Sequence, residues 1–297
     1  MFVKAIEEAS RYTCPIHSII RKYGSTEIET GCSTFIMINN EGYAITCRHV
    51  VQDLLVTAQE LNAKYESFCK ERDAIADNGK KRKRVSELEK KYGYIKTNSI
   101  PIQIKSAFLN AVDNFEGIRW HMHPTYDLAI IKFENFNNLL CHNFPVLAKD
   151  SNVMPGKSLC RLGYPYPEFS NYRYNADFDD IEWTTENRGD TPRFPIDGIV
   201  TRLAADNQKV TEIEMSTPGL KGQSGGPLFD TRGILYGMQS ATISLHLGFD
   251  QVDREINICG KKKKINDYSF IHLGRCVHIN IIKEFLDQHG VKYNLEP

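Results

Sequence analysis

Apolar and polar positions alternate in short bursts along most of this chain. The stretch "GCSTFIMINNEGYAITCRHVV" holds two apolar runs, "FIMI" and "YAIT", separated by Asn39, Asn40, Glu41 and Gly42. Two β-rich runs around such a turn predict a hairpin, with His49 just past the end of its second strand. Further short runs with turn signals between them recur at "SIPIQIKSAFL", "YDLAIIKF", "KSLCRLGYP", "DGIVTRLA", "VTEIEM", "GGPLFDTRGILYGMQSAT" and "GRCVHIN". That spacing predicts antiparallel barrels or sandwiches rather than a parallel sheet with crossover helices. The last segment, "INIIKEFLDQHG", sets Ile281, Ile282, Phe285 and Leu286 on one face and stops at Gly290, which predicts a closing amphipathic helix over 279–289.

One segment breaks the β rhythm. From Asp53 to Tyr92 the chain is rich in Glu, Lys, Ala and Leu, and Leu54, Ala58, Leu61, Tyr65, Phe68 and Ile75 follow a helical stripe interrupted by Arg72. After a turn at "DNGKKRKR", Val85, Leu88 and Tyr92 resume the stripe. The pattern predicts a helical hairpin over 53–92, inserted into a β domain and either packed on its own barrel or docking a partner protein. The basic tip Lys80–Arg84 and the later run Lys261–Lys264 read as solvated loops rather than anion contacts.

Composition narrows the class. With 297 residues, 41% hydrophobic and 25% charged, the chain is long enough for two compact lobes. Lys+Arg and Asp+Glu balance at 37 each, so net charge gives no reason to propose a nucleic-acid partner. Glu7 and Glu8 interrupt what would have to be an apolar leader, and no run reaches membrane-spanning length, so a cytoplasmic protein with no membrane partner is expected. The eight cysteines are scattered without a C-x-x-C pair and read as reduced thiols. His121 with His123, and Cys47 with His49, have alternate-residue spacing, but no second pair stands at zinc-site spacing. No metal and no other cofactor is expected.

The candidate chemistry centres on "KGQSGGPLF", residues 221–229. Glycine reaches φ > 0 and leaves the main chain open to a ligand, so Gly222 can free neighbouring N–H groups to face an oxyanion if Ser224 is a nucleophile. A Gly-rich turn between strands is the plain alternative. Attack by a serine hydroxyl on an acyl carbon needs a base, a group that orients the base, and donors for the oxyanion. His49 is the candidate base. Asp127, directly before the apolar strand "LAIIKF", is the candidate orienting acid, since an isolated buried carboxylate is costly and must be paired or solvated. G-x-S-x-G also marks the nucleophile elbow of α/β-hydrolases, which requires a helix after the serine and the order Ser, acid, His. Here Pro227 and "LFDTRGILYGM" read as strand, turn, strand, so that assignment fails.

On these residues the chain resembles the trypsin-like serine peptidases of chymotrypsin fold, nearest to the bacterial HtrA/Deg-type protease domain. The matching pieces are "GCSTFIMINNEGYAITCRHVV", "YDLAIIKF", "RLGYP", "GIVTRL", "GQSGGPLFDTRGILYGM" and "CVHINIIKEFLDQ", in the family's order His, Asp, Ser. The resemblance implies a mainly β fold of two antiparallel six-stranded barrels: residues 1–150 carrying His49 and Asp127 with the insertion, and residues 151–297 carrying Ser224 and the closing helix. It implies Ser224 as nucleophile, His49 as general base, Asp127 as the carboxylate fixing its tautomer, and the N–H groups of Gly222 and Ser224 as oxyanion hole. Pro218 and Gly219, with Ser240, Ala241 and Thr242, would contact substrate.

The departures carry information too. Gln223 stands where secreted digestive members have an aspartate that pairs with a freshly cleaved N-terminus, so activation of that kind is not implied. Pro218 stands where trypsin has its acid for Lys and Arg side chains, so basic specificity is not implied. HtrA proteins carry a peptide-binding domain after the closing helix, and nothing of that kind follows it before Pro297. The expectation is a bacterial, intracellular endopeptidase of the regulated-effector type, cleaving protein substrates through an acyl-enzyme and held in check by a regulatory partner at the insertion. The competing expectation is a catalytically silent adaptor that binds partners through that same hairpin.

Overall fold

The β-branched and aromatic runs of the first half build one curled antiparallel sheet. It comprises β1 (Thr13–Lys22), β2 (Ile28–Met37), β3 (Tyr43–Thr46), β4 (Pro101–Phe108), β5 (Gly117–Met122) and β6 (Ala129–Glu134), in the order β4-β1-β2-β3-β6-β5. The computed structural model describes residues 1–77, 79–96, 99–149 and 153–297. Ile16, Phe35, Met37, Ile45, Ile130 and Phe133 fill the inside of this sheet, as residues that suit a pleated, half-buried surface should. The predicted hairpin is β2–β3, with Ile36 opposite Ile45.

The second half contains β7 (Val146–Leu147), β8 (Ser158–Gly163), β9 (Tyr172–Asn175), β10 (Asp180–Trp183), β11 (Phe194–Asp206), β12 (Lys209–Met215), β13 (Pro227–Phe229), β14 (Ile234–His246), β15 (Gln251–Ile258), β16 (Lys261–Asp267), β17 (Phe270–His278) and β18 (Asn294–Leu295). Eight of these form a sheet in the order β13-β8-β11-β12-β17-β14-β7-β18, and a further β13–β14 pairing closes six of them into a ring. The short strands β7 and β18 are added in parallel at the outside of β14. The chymotrypsin-like fold is therefore present, with one difference from two equal barrels. The second lobe closes, whereas the edge strands β4 and β5 of the first do not pair among the described residues. The expected division at 150/151 lies outside the described residues; β7, just before it, already belongs to the second sheet.

Helices dock on these sheets. α1 (Val3–Ser10) lies against the second lobe, with Phe2 edge-on to Phe229 at 6.5 Å between ring centres. α2 (Arg48–Val51) runs through a π-helical stretch, Gln52–Thr57, into α3 (Ala58–Asp73), and α4 (Lys81–Tyr92) returns. Tyr65, Phe68 and Leu88 of this hairpin join Tyr23, Tyr94 and Ile102 in a cluster of their own, so the stripe packs on the first lobe. Asn62 clamps β4 from both sides, donating to the Ile104 carbonyl at 2.8 Å and accepting from its N–H at 2.9 Å. Two loop expectations are corrected. Lys81–Arg84 form the first turn of α4, because Lys and Arg are good helix formers; position 78 of the expected turn lies outside the described residues. Lys261–Lys264 lie in β16, an exposed hairpin with β15 that pairs Ile256 with Lys263. α5 (Ile279–Gln288) buries Ile281, Ile282, Phe285 and Leu286, and Gly290 follows at φ +66. Among the described residues no helix is long and apolar enough to cross a membrane.

Candidate active site

Antiparallel pairing of β3 with β6 sets Thr46 opposite Ala129, so the residues just beyond these strand ends converge. Cys47 caps α2 in an extended conformation, which turns His49 toward the segment before β6. There Asp127 Oδ2 meets His49 Nδ1 at 2.8 Å, and Asp127 Oδ1 accepts the His49 backbone N–H at 3.0 Å. A carboxylate accepts only, so Nδ1 carries the proton and Nε2 keeps its lone pair for the cleft. The hydrogen bond to Asp127 raises the His49 pKa above its ordinary value against the opposing effect of burial. Burial alone would raise the Asp127 carboxyl, but the two bonds from His49 outweigh it and hold it below the usual value.

The serine turn is bonded to the strands that carry this pair. Gly222 (φ +97) and Gly225 (φ +88) adopt left-handed geometry that side chains resist, and a Cβ on either would strike backbone, Tyr164 O or Thr34 O. Thr34 of β2 donates its N–H to Ser224 O at 2.9 Å and its hydroxyl to Gly222 O at 2.8 Å. Thr46 in turn donates to Thr34 O at 2.7 Å, and Cys47 Sγ to Gln239 O at 3.2 Å, the same carbonyl that accepts from Gly225. Among the described residues neither the Gly222 nor the Ser224 N–H has a protein acceptor, and no hydrogen bond joins Ser224 Oγ to His49. Such bonds commonly tighten only when substrate is in place. Gln223, fully buried, uses its amide as a neutral brace, accepting from Leu220 N and donating to Phe194 O, both at 3.0 Å.

The remaining sequence candidates also gather here. Thr242 Oγ1 donates to Gly219 O at 2.7 Å, which joins the Pro218–Gly219 segment to the Ser240–Thr242 stretch of β14. Ser240 is buried with its hydroxyl on Arg275 O at 3.1 Å, while Ala241 and Thr242 are exposed. Sequence reasoning missed Thr34 and Thr46, whose hydroxyls act only across the fold, and it missed Arg161. That arginine is 0% exposed, and its only legible signal was a charge inside the apolar run "SLCRLG". The two alternate-residue pairs are occupied otherwise. His121 stacks on His289 at 4.2 Å, and His123 Nδ1 accepts from Thr125 and Tyr126 N–H. Cys47 Sγ, His49 and Asp127 offer ligand atoms within 4.8 Å of one another, but burial pushes the Cys47 thiol well above its ordinary value and disfavours the thiolate a metal needs.

Two curled antiparallel lobes, with a histidine–carboxylate pair on one and a glycine-flanked serine turn of the other bonded beside it, define a peptidase of chymotrypsin fold. A family model described as the trypsin-like peptidase domain matches residues 32–238. The chain belongs to that family, which makes it a serine endopeptidase by class, a hydrolase of peptide bonds. Among solved structures it is similar to the HtrA-type protease AlgW with a decapeptide, at 12% identity over 98% of this chain and 68% of that one, with a TM-score of 0.50. A second structure of AlgW, with a tripeptide, matches at 13% identity, 97% and 62% coverage and a TM-score of 0.47. At such identity the likeness concerns the fold alone. No curated protein sequence matches the chain significantly.

Proposed function

We propose that the chain is an intracellular endopeptidase that cleaves protein substrates through an acyl-enzyme on Ser224. The observation that carries this reading is the doubly bonded His49–Asp127 pair at 2.8 and 3.0 Å, on strands bonded through Thr34 to the serine turn. His49 Nε2 takes the proton from Ser224 Oγ as the oxygen attacks the scissile carbonyl, then gives it to the leaving amine. Water, activated by the same nitrogen, releases the acyl group. Asp127 holds Nδ1–H and stabilises the imidazolium that forms. The unsatisfied N–H groups of Gly222 and Ser224 receive the oxyanion, each such donor contributing on the order of 10²–10³ in rate. Pro218, Gly219 and Ser240–Thr242 bind the substrate chain. The exposed outer face of the helical hairpin is the proposed contact for a regulatory protein, because the inner stripe is committed to the first lobe.

A fluorophosphonate reacts only with an activated serine, so the full chain should label at Ser224. Ser224→Ala and His49→Ala should each lose on the order of 10⁶ in cleavage rate, and the double variant about the same, since the two act as one unit. Additive losses contradict these roles, and a wild-type chain that never labels is the catalytically silent adaptor.

A further inference from the structure

Behind the serine turn lies a cation without a counter-charge. The Arg161 guanidinium donates from Nη1 to Gln239 Oε1 at 2.7 Å, and from Nη2 to Thr217 O at 2.9 Å, Thr217 Oγ1 at 2.6 Å and Pro218 O at 3.1 Å. Every one of these acceptors is neutral, and Nε has no hydrogen-bond partner among the described residues. Buried charges are ordinarily paired, because a lone one forfeits its hydration. The carboxylates of β12, in the same sheet, are already taken: Glu212 faces Arg275 at 3.3 Å, and Glu214 is bonded by Arg202 at 2.7 Å.

The surroundings are built to hold this group. A Cβ on Gly274 would collide with Nη1, and a Cβ on Gly219 with the Gln239 amide, so both walls omit side chains where the two lie. The acceptors Thr217 and Pro218 lead into the serine turn, and Gln239 O receives the N–H of Gly225, the residue after Ser224. Gln239 thus stands between the guanidinium and the proposed substrate stretch Ser240–Thr242. A register shift in the β14–β17 ladder falls between Gln239 and Ala241, and the Gln239 side chain is buried.

Resting on the peptidase reading above, we propose that Arg161 makes this enzyme selective for an acidic residue immediately before the scissile bond. The Gln239 amide oxygen occupies the donor that a substrate carboxylate would take. Its amide nitrogen is tied only to Ala241 O, at 2.7 Å, so one side-chain rotation exchanges a neutral acceptor for a charged one. The resulting charge-assisted pair is the stronger, and the planar guanidinium suits a carboxylate. A lysine or arginine in the same position would meet like charge.

The test uses the full chain and peptide phosphonates identical except for glutamate, glutamine or lysine before the phosphorus, beside a fluorophosphonate with no such side chain. The glutamate probe should label Ser224 roughly 100-fold faster than its glutamine isostere, since the glutamine amide offers only a neutral acceptor like that of Gln239, whereas the carboxylate offers a charged one. Arg161→Gln removes the cation and Gln239→Glu supplies an internal carboxylate. Each ratio is taken within one variant, and both should erase the preference. Equal labelling by the glutamate and glutamine probes in the wild-type chain overturns the proposal, and so does a preference that survives in Gln239→Glu. Failure of the fluorophosphonate itself sinks the peptidase reading, and this inference with it, so the two failures are told apart.

Discussion

Asp127 does two things at once for His49: one oxygen fixes the ring, the other fixes the backbone from which the ring hangs. The ring is about half exposed, 47%, so solvent screening keeps the electrostatic part of this pairing modest and leaves orientation as its main contribution. The pairing nonetheless has a direction in pH. Only neutral His49 can accept a proton from serine, and Asp127 holds its pKa above the ordinary 6.5. Activity should therefore rise with pH through an inflection above 6.5. In Asp127→Asn the inflection should move down, and kcat should drop on the order of 10⁴ because the amide favours the wrong tautomer. Pre-steady-state acylation measured between pH 5 and about 9 reads both effects; an inflection that stays put in Asp127→Asn contradicts the pairing.

At the level of elements, the insertion packs on the first lobe through its inner face, in a buried cluster separate from that lobe's main core. Phe68 is fully buried, with its ring 5.7 Å from Tyr23 and 5.0 Å from Tyr94. Tyr65 and Arg72 both reach Asp179, at 2.8 and 2.7 Å, which ties α3 to the β9–β10 hairpin. Phe68→Ala should cost about 3–5 kcal/mol in denaturant unfolding, whereas Lys83→Ala on the exposed basic turn should stay within about 0.5 kcal/mol. Equal effects would mean that the hairpin is not seated as described. The same elements show what the sequence reveals. The β2–β3 and β13–β14 hairpins are apolar runs set on either side of clear turn residues and were legible. β1, "TCPIHSIIRK", is buried on both faces and so has no alternation to read, and β15–β16 is exposed on both faces and reads as polar loop. The chemically distinctive His49, Asp127 and Ser224 stood out by residue type and order. Thr34, Thr46 and Arg161 did not, because what they do depends on partners far away in sequence.

For the molecule as a whole, two histidines set a limit in acid. His17 is buried, with neither ring nitrogen paired among the described residues, and stacks on Phe169 at 4.0 Å; His278 at the start of α5 likewise leaves Nε2 without a partner there. Burial pushes each pKa down to about 4 from an ordinary 6.5. Between those values the unfolded chain takes up protons that the folded one refuses. Stability is therefore complete above pH 6.5 and falls as pH drops toward 4, by about 3 kcal/mol for each histidine. Chemical denaturation at pH 7 and about 4.5 should show this loss, and His17→Phe should remove part of it. A stability flat across that range would contradict the burial. Asp179, held down to about 2, adds its own loss only in stronger acid.

The bond from the Thr34 amide to the Ser224 carbonyl gives the molecule a built-in gauge. One hydrogen depends both on the seating of the two lobes and on the bend of the proposed nucleophile's own turn. Its exchange with deuterium therefore reports on both without any added label. Coupling of this kind runs in both directions: an effector that draws the lobes apart must unlock that hydrogen and slacken the turn, and a group attached to Ser224 that reshapes the turn must alter the grip between lobes by the same free energy.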